Sequence, residues 1–186
     1  INRIPISDKD LSASAIALST QCNEQFDPEN YPSFFEFIAA IALKHFAEEG
    51  VDIAIIETGL GGRLDATNIL SPELSIITSI GKDHTDILGD TIDAITREKA
   101  GIIKPDTPVL IGNLPDISKA IIKEKAHDLK AEYYTLENYL KTHPLPKTNL
   151  DGTYQKQNAA LASYATEILA QRFPIKHTHA LNQVEW

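Results

Sequence analysis

Apolar positions along the chain follow two different rhythms. Residues 7–20 and 34–50 carry apolar side chains at helical spacing, each behind a serine that can cap a helix, and both stretches are predicted to be helices. Residues 51–57 and 74–80 are short runs rich in β-branched residues and apolar on both faces. Such runs predict strands of a parallel sheet that is covered on both sides.

The remainder of the chain alternates between the same two patterns. It predicts, in order, a helix over 91–103 that Thr91 can cap, a strand over 107–112, a helix over 114–130, an edge strand within 133–139 and a last helix over 154–173. Helices that alternate with strands are typical of layered α/β domains. We therefore expect an open, mostly parallel sheet flanked by helices.

Composition narrows the class of protein. The chain has 186 residues, enough for one substantial domain, and a formal net charge of −9, which disfavours nucleic acid as a partner. No run is long and apolar enough to predict a membrane span. A single cysteine, Cys22, allows no internal disulfide, so we expect a cytoplasmic location. The chain begins with Ile1 and contains no methionine, which suggests a piece of a longer protein.

Candidate chemistry follows two of the predicted strands. Glu57 ends the first and is followed by "TGLGGRLDATN", and "GKDHTD" follows the second. Ligands of open α/β sheets bind beyond the carboxyl ends of the strands, and a carboxylate with an imidazole there can form a metal or acid–base site. The alternatives are structural: Glu57 capping a turn or pairing with Arg63, Asp83 in a turn, and a structural histidine.

Five segments together resemble one known family. "ETGLGGRLDATN", "SIGKDHTDILG", "EKAGIIK", "PSFFEF" and "YQKQNAALA" are similar to the central domain of the bifunctional dihydrofolate synthase/folylpolyglutamate synthase family, within the Mur ligase superfamily. The resemblance covers nearly the whole chain. It implies that residues 1–186 form a partial central domain that binds ATP and folate. The P-loop segment and the C-terminal glutamate-ligase domain are then expected outside this chain, which alone should be inactive.

The resemblance also implies a reaction. ATP would phosphorylate the carboxylate of dihydropteroate or a folate, and the amine of L-glutamate would displace phosphate from the acyl phosphate to form an amide, with Mg²⁺ offsetting negative charge. The parent protein is expected to be monomeric and to bind small molecules, not nucleic acid or membrane. Two rivals are a different Mur-type amide ligase and a non-catalytic folate-binding α/β module.

Three residues are implied at the catalytic centre. Glu57 matches a magnesium ligand near the β- and γ-phosphates, and His84 matches a ligand of a second magnesium ion. Lys99 matches a lysine that is carbamylated in this family, and its carbamate oxygens would suit Mg²⁺ better than an ammonium would. The alternative for Lys99 is a surface lysine paired with Glu98 or Asp93.

Two further groups carry over from the family. The positions that would line the pteroate pocket are Ser33, Phe35, Asp65 and Ala66. Asp65 would bond the pterin N–H groups. The glycines before it would let the backbone pass close to phosphate and substrate, and Arg63 and Asp65 would then turn into the pocket. Gln155 and Asn158 match the motif that contacts adenine, or else act as polar caps of the last helix. Tyr154 stands where the family commonly has histidine, which weakens the details of the adenine site.

Overall fold

The structure is a computed structural model that describes residues 1–175, 181 and 184. The chain divides into two compact units, Ile1–Thr58 and Gly59–Trp186. The partial domain predicted over residues 1–186 includes residues 176–180, 182, 183, 185 and 186, which lie outside the described residues. In the described part of the chain, no helix is long and apolar enough to cross a membrane.

The first unit is a pair of helices. Helix α1 spans Asp8–Gln25 and begins at Ser7, whose side chain accepts a hydrogen bond from the amide of Asp10. Helix α2 spans Phe34–Glu48. A short 3-10 turn, Pro28–Asn30, lies between the two helices. Both predicted helices are confirmed. Helix α1 ends at Gln25, five residues beyond its predicted end at residue 20.

The strand predicted over residues 51–57 is not formed. Apolar composition favours a strand but does not supply the neighbour whose backbone must pair with it. The hydrogen-bonded sheet of the described residues contains only strands that begin at Ser75 or later. Ile53 and Ile55 are accordingly exposed, at 56% and 94%.

The second unit contains a three-stranded parallel sheet and its helices. Its strands are β1 (Ser75–Ile77), β2 (Val109–Ile111) and β3 (Tyr133–Thr135). Its helices are α3 (Thr85–Leu88), α4 (Ile92–Ala100), α5 (Asp116–Asp128), α6 (Leu136–Tyr139) and α7 (Thr153–Ala170). The order of the strands is β1-β2-β3, with Ser75 opposite Val109 and Val109 opposite Tyr133.

The central strand is buried on both faces. Val109 and Ile111 belong to a core that also contains Ile95 of α4 and Ile122 of α5. Leu110 points to a second core, formed with α6 and α7. Successive side chains of a strand point to opposite faces, so this alternation places α4 and α5 on one side of the sheet and α7 on the other. The prediction of an open parallel sheet flanked by helices is confirmed.

Candidate functional site

The glycine-rich motif forms a loop organised by one carboxylate. We call residues 59–68 the glycine loop. Asp65 accepts hydrogen bonds from the amides of Gly59, Leu60 and Thr67, at 2.8, 3.0 and 2.9 Å, and from the Thr67 hydroxyl at 2.5 Å. Burial raises the pKa of Asp65, but the bonds from Thr67, Leu60 and Gly59 outweigh it and hold that pKa below its ordinary value. Asp65 is therefore an ionised acceptor that closes the loop.

These bonds limit what else Asp65 can do. A carboxylate has about four lone-pair positions, and Asp65 uses four of them inside the loop. A pterin N–H group could bond only by sharing an oxygen that already accepts two hydrogen bonds. Ala66 opens the 3-10 turn Ala66–Ile69, which Asp65 caps, and its side chain is half-buried. Their contact with pteroate stays a prediction.

The glycine loop lies against the C-terminal end of α4. The amide of Arg63 donates to the carbonyl of Glu98 at 2.9 Å, and the Nε and Nη2 atoms of Arg63 donate to Glu98 Oε1 at 3.1 and 3.0 Å. A Cβ on Gly101 would lie 2.4 Å from the Cβ of Arg63, so the two backbones meet where only glycine fits. Arg63, expected to turn into the substrate pocket, instead points to α4.

Close approach also explains the glycines of the loop. Gly61 has a φ of +67°, and a Cβ there would lie 2.8 Å from Leu88 Cδ2. A Cβ on Gly62 would lie 3.0 Å from the carbonyl oxygen of Glu98 and 3.1 Å from that of Lys99. The neighbours that require glycine at these positions are protein atoms, whereas the sequence suggested phosphate and substrate.

Asn68 ties the far end of the loop to the same place. Its Nδ2 atom donates to the carbonyl of Arg63 at 3.0 Å and to the carbonyl of Gly101 at 3.2 Å. Its own carbonyl accepts a hydrogen bond of 2.7 Å from Lys104 Nζ. Sequence reasoning assigned no role to Asn68 or Lys104, and it considered Glu98 only as an alternative partner of Lys99. The place of these residues in two of the recognised motifs was the only signal.

Lys99 lies between these attachment points. Its side chain is half-buried, and within residues 1–175 it has no hydrogen bond or ion pair. Both carboxylates offered as its alternative partners are engaged by arginines: Glu98 by Arg63 and Asp93 by Arg97, whose Nε lies 2.8 Å from Asp93 Oδ1. The interpretation of Lys99 as an ion-paired surface lysine is therefore wrong. Its carbamylation stays a prediction.

His84 has an unusual backbone. Its φ of +49° is left-handed, a conformation that costs a residue with a Cβ about 1–2 kcal/mol. Its amide donates to Asp83 Oδ1 at 2.9 Å, and its Nε2 lies 3.8 Å from Asp83 Oδ2. The imidazole is 58% exposed. This geometry leaves the ring accessible to a ligand, and its role as a metal ligand stays a prediction.

Three predicted site residues belong to the first unit. Ser33 caps α2 in a capping box, its Oγ accepting from the amide of Glu36 and its own amide donating to the Glu36 carboxylate. Phe35 is 45% exposed. Glu57 is exposed. Their substrate and metal contacts stay predictions.

The two predicted adenine contacts lie in the first turns of α7. Gln155 is buried, and its Oε1 accepts a hydrogen bond from Asn158 Nδ2 at 3.3 Å. Gly152 precedes the helix, and no side chain caps it. The alternative role as polar caps is therefore not observed. Each amide still has free donors or acceptors for a ligand, as the predicted adenine contact would require.

A magnesium ion would need ligands from outside this set of side chains. Within the described residues, no group of three or more His, Cys, Asp or Glu side chains could hold a metal ion. In proteins Mg²⁺ usually binds through one or two carboxylates, keeps several waters and takes further oxygens from substrate phosphates. Metal binding by Glu57, His84 and a Lys99 carbamate therefore stays a prediction.

Comparison with known proteins places the chain in a family. The family model described as "Mur ligase middle domain" matches residues 13–181, and the chain belongs to this family. It is 38% identical over 192 residues to the dihydrofolate synthase/folylpolyglutamate synthase of Bacillus subtilis (strain 168), a match that covers 91% of this chain and 44% of the relative.

Solved structures agree with this family. The structure named "FPGS-AMPPCP complex" matches with a TM-score of 0.87 and 30% identity, and the match covers 98% of this chain and 52% of that one. The "FPGS-AMPPCP-folate complex" matches with a TM-score of 0.84 and 29% identity, over 98% and 51%. The chain thus spans about half the length of the relatives it matches.

Proposed function

We propose that the protein carrying this chain is an ATP-dependent ligase that joins L-glutamate to dihydropteroate, to folates or to both. The observation that carries the proposal is the match of 98% of the chain to a folylpolyglutamate synthase bound to an ATP analogue and folate. The chain then forms part of the central domain, and the P-loop segment and the glutamate-ligase domain belong to other parts of the protein. We propose a monomeric cytoplasmic enzyme.

Two chemical steps make up the reaction. The γ-phosphoryl group of ATP passes to the carboxylate of the pteroate or folate and makes it a good electrophile, with ADP leaving. The amine of glutamate then attacks this acyl phosphate, loses a proton and displaces inorganic phosphate, which forms the amide. When bound, Mg²⁺ would neutralise the negative charge that converges during the first step.

The residues of this chain supply binding and orientation. Glu57, His84 and Lys99, the last as an N-carboxylated lysine, would hold magnesium. Ser33, Phe35, Asp65 and Ala66 would line the pteroate pocket. Gln155 and Asn158 would contact adenine. Lys99 supports this assignment because its amine has no carboxylate partner within residues 1–175, so reaction with CO₂ would not have to break an ion pair.

The activity is tested with the full-length protein that carries the chain. Dihydropteroate or a folate monoglutamate is incubated with ATP, Mg²⁺ and L-glutamate, and products are identified by mass spectrometry. A product heavier by one glutamyl residue, with one ADP per bond formed, is expected. Glutamylation of neither substrate would refute the proposal. Ligation of a different amino acid to a different carboxylate would identify another Mur-type ligase. Folate binding without any product would identify a non-catalytic binding module.

Lys99 variants test the carbamate. Lys99→Ala should abolish ligation, and added formate or acetate should restore part of it by occupying the vacated anionic position. Lys99→Arg should remain inactive, since a guanidinium group cannot be carboxylated. Lys123→Arg on the exposed surface of α5 is the matched control and should be silent. Near-normal turnover by Lys99→Arg would rule out the carbamate.

A further inference from the structure

We propose that Arg63 and Asn68 are positioning residues that hold the glycine loop on the C-terminal end of α4 and thereby fix the spacing between Lys99 and the two loop residues proposed to contact pteroate, Asp65 and Ala66. This inference rests on the proposed function for what the two parts bind. The docking itself rests on contacts within the second unit. The family resemblance assigned no role to Asn68, and the role inferred here for Arg63 replaces the expectation that it turns into the substrate pocket.

The attachments lie on both sides of Lys99. Before it, Glu98 accepts a backbone hydrogen bond from Arg63 and two more at its carboxylate. After it, the carbonyl of Gly101 accepts from Asn68 Nδ2, which also bonds the carbonyl of Arg63. The side-chain amide of Asn68 therefore links two parts of the glycine loop and also links the loop to the C-terminal end of α4.

The same interface leaves little room for sliding. Gly62 packs against the carbonyls of Glu98 and Lys99, and Gly101 packs against the backbone of Arg63. Asp65 closes the loop from within through its four hydrogen bonds. A loop that is internally closed and attached at both Arg63 and Asn68 moves together with the helix that carries Lys99.

The exposure of the Arg63–Glu98 pair indicates that it positions the loop more than it stabilises the fold. The side chain of Arg63 is 55% exposed and that of Glu98 is 23% exposed. An ion pair this open to water adds little to the stability of a fold. Its loss should leave the domain folded but loosen the loop, and a displacement of about 1 Å at a reacting centre can cost on the order of 100-fold in rate.

The experiment uses the full-length protein and four variants. Arg63→Met removes the charge and keeps the aliphatic stem, and Arg63→Lys keeps the charge without the two-nitrogen contact. Asn68→Asp keeps the shape but turns the Nδ2 donor into an acceptor facing two carbonyls. Arg97→Met is the matched control, since it breaks the other arginine–carboxylate pair of α4, with Asp93, away from the glycine loop.

Kinetics and hydrogen exchange give separate readouts. We expect Arg63→Met and Asn68→Asp to lower kcat/KM for the folate substrate by about 10- to 100-fold, with KM for ATP within about twofold and, for Arg63→Met, Tm near the wild-type value. Arg63→Lys should recover part of the loss, and amides of residues 59–68 should exchange faster in the two impaired variants. Arg97→Met should match the wild type in every measurement.

Several results would overturn the inference. One is an equal rise of KM for ATP and for folate, another is a loss that simply follows Tm, and a third is the same loss in Arg97→Met. If the wild type glutamylates no folate, the proposed function fails, and hydrogen exchange alone still decides the docking. Unchanged exchange of residues 59–68 in both Arg63→Met and Asn68→Asp would then refute it.

Discussion

Replacing Gly101 by alanine should destabilise the protein, although the local backbone favours the change. Gly101 has φ −62° and ψ −14°, which alanine adopts without strain. Alanine would also restrict the unfolded chain, so an unhindered site would gain about 0.4–1 kcal/mol in free energy of unfolding. The sign of the measured effect therefore reports whether something occupies the space above Gly101.

The structure places Arg63 in that space. A Cβ on Gly101 would lie 2.4 Å from the Cβ and 2.5 Å from the Cα of Arg63, and these backbone-linked atoms cannot rotate away. Overpacking of this kind costs about 1–3 kcal/mol. Pushing the loop away would also weaken the hydrogen bond from the Arg63 amide to Glu98, worth about 1 kcal/mol. The expected balance is a net loss of about 2 kcal/mol.

Urea unfolding followed by far-ultraviolet circular dichroism measures this balance. Gly81→Ala is the control, because a Cβ there would meet nothing within 4 Å, and it should leave the free energy of unfolding unchanged or raise it by up to about 1 kcal/mol. A Gly101→Ala protein as stable as the wild type, or more stable, would show that the glycine loop does not rest on α4. The positioning role of Arg63 would fall with it.

Two further predictions concern a buried hydroxyl pair and the acid limb of the stability curve. The hydroxyl of Thr96 donates to the carbonyl of Ile92 and lies 2.8 Å from Ser118 Oγ. Thr96→Val leaves the buried hydroxyl of Ser118 without this partner and should lower the free energy of unfolding by about 1–3 kcal/mol. Ser118→Ala leaves Thr96 bonded to Ile92 and should lower it by about 1 kcal/mol. A larger loss of unfolding free energy in Ser118→Ala than in Thr96→Val, measured by urea unfolding, would contradict this. Because the folded-state pKa of Asp65 is lowered, its contribution is present above about pH 4 and is lost as the pH falls through the folded value. Asp65→Asn should therefore flatten the fall in stability below about pH 4, and an equally steep fall would refute the role of these hydrogen bonds.

Local signals in the sequence predicted most of the fold. Ser7, Ser33 and Thr91 were each recognised as helix caps, and each accepts a hydrogen bond from a first-turn amide. The strand predicted over residues 51–57 was wrong because periodicity reports which side chains are apolar, not whether a partner strand pairs with the backbone. Strand formation depends on such non-local contacts, which composition does not contain.

The candidate site was less predictable for the same reason. Arg63 and Glu98 are 35 residues apart, and nothing in either motif alone shows that they pair. Without that pair, Glu98 is the natural partner for its neighbour Lys99, and Arg63 is free to turn towards a ligand. Sequence reasoning kept the first pairing as an alternative and predicted the second orientation, and one contact contradicts both.

The glycines of the loop have a structural role that the motif alone did not predict. A run of glycines after a predicted strand suggests backbone left open for a phosphate, yet Gly61 and Gly62 lie against Leu88 and the end of α4. A side chain at either position would push the loop off the helix, since carbonyl and methyl groups already stand about where the Cβ would go. The conformational freedom of these residues therefore serves first to bring two distant motifs into contact. Any ligand that the loop binds would meet a surface whose position relative to Lys99 is already fixed by α4.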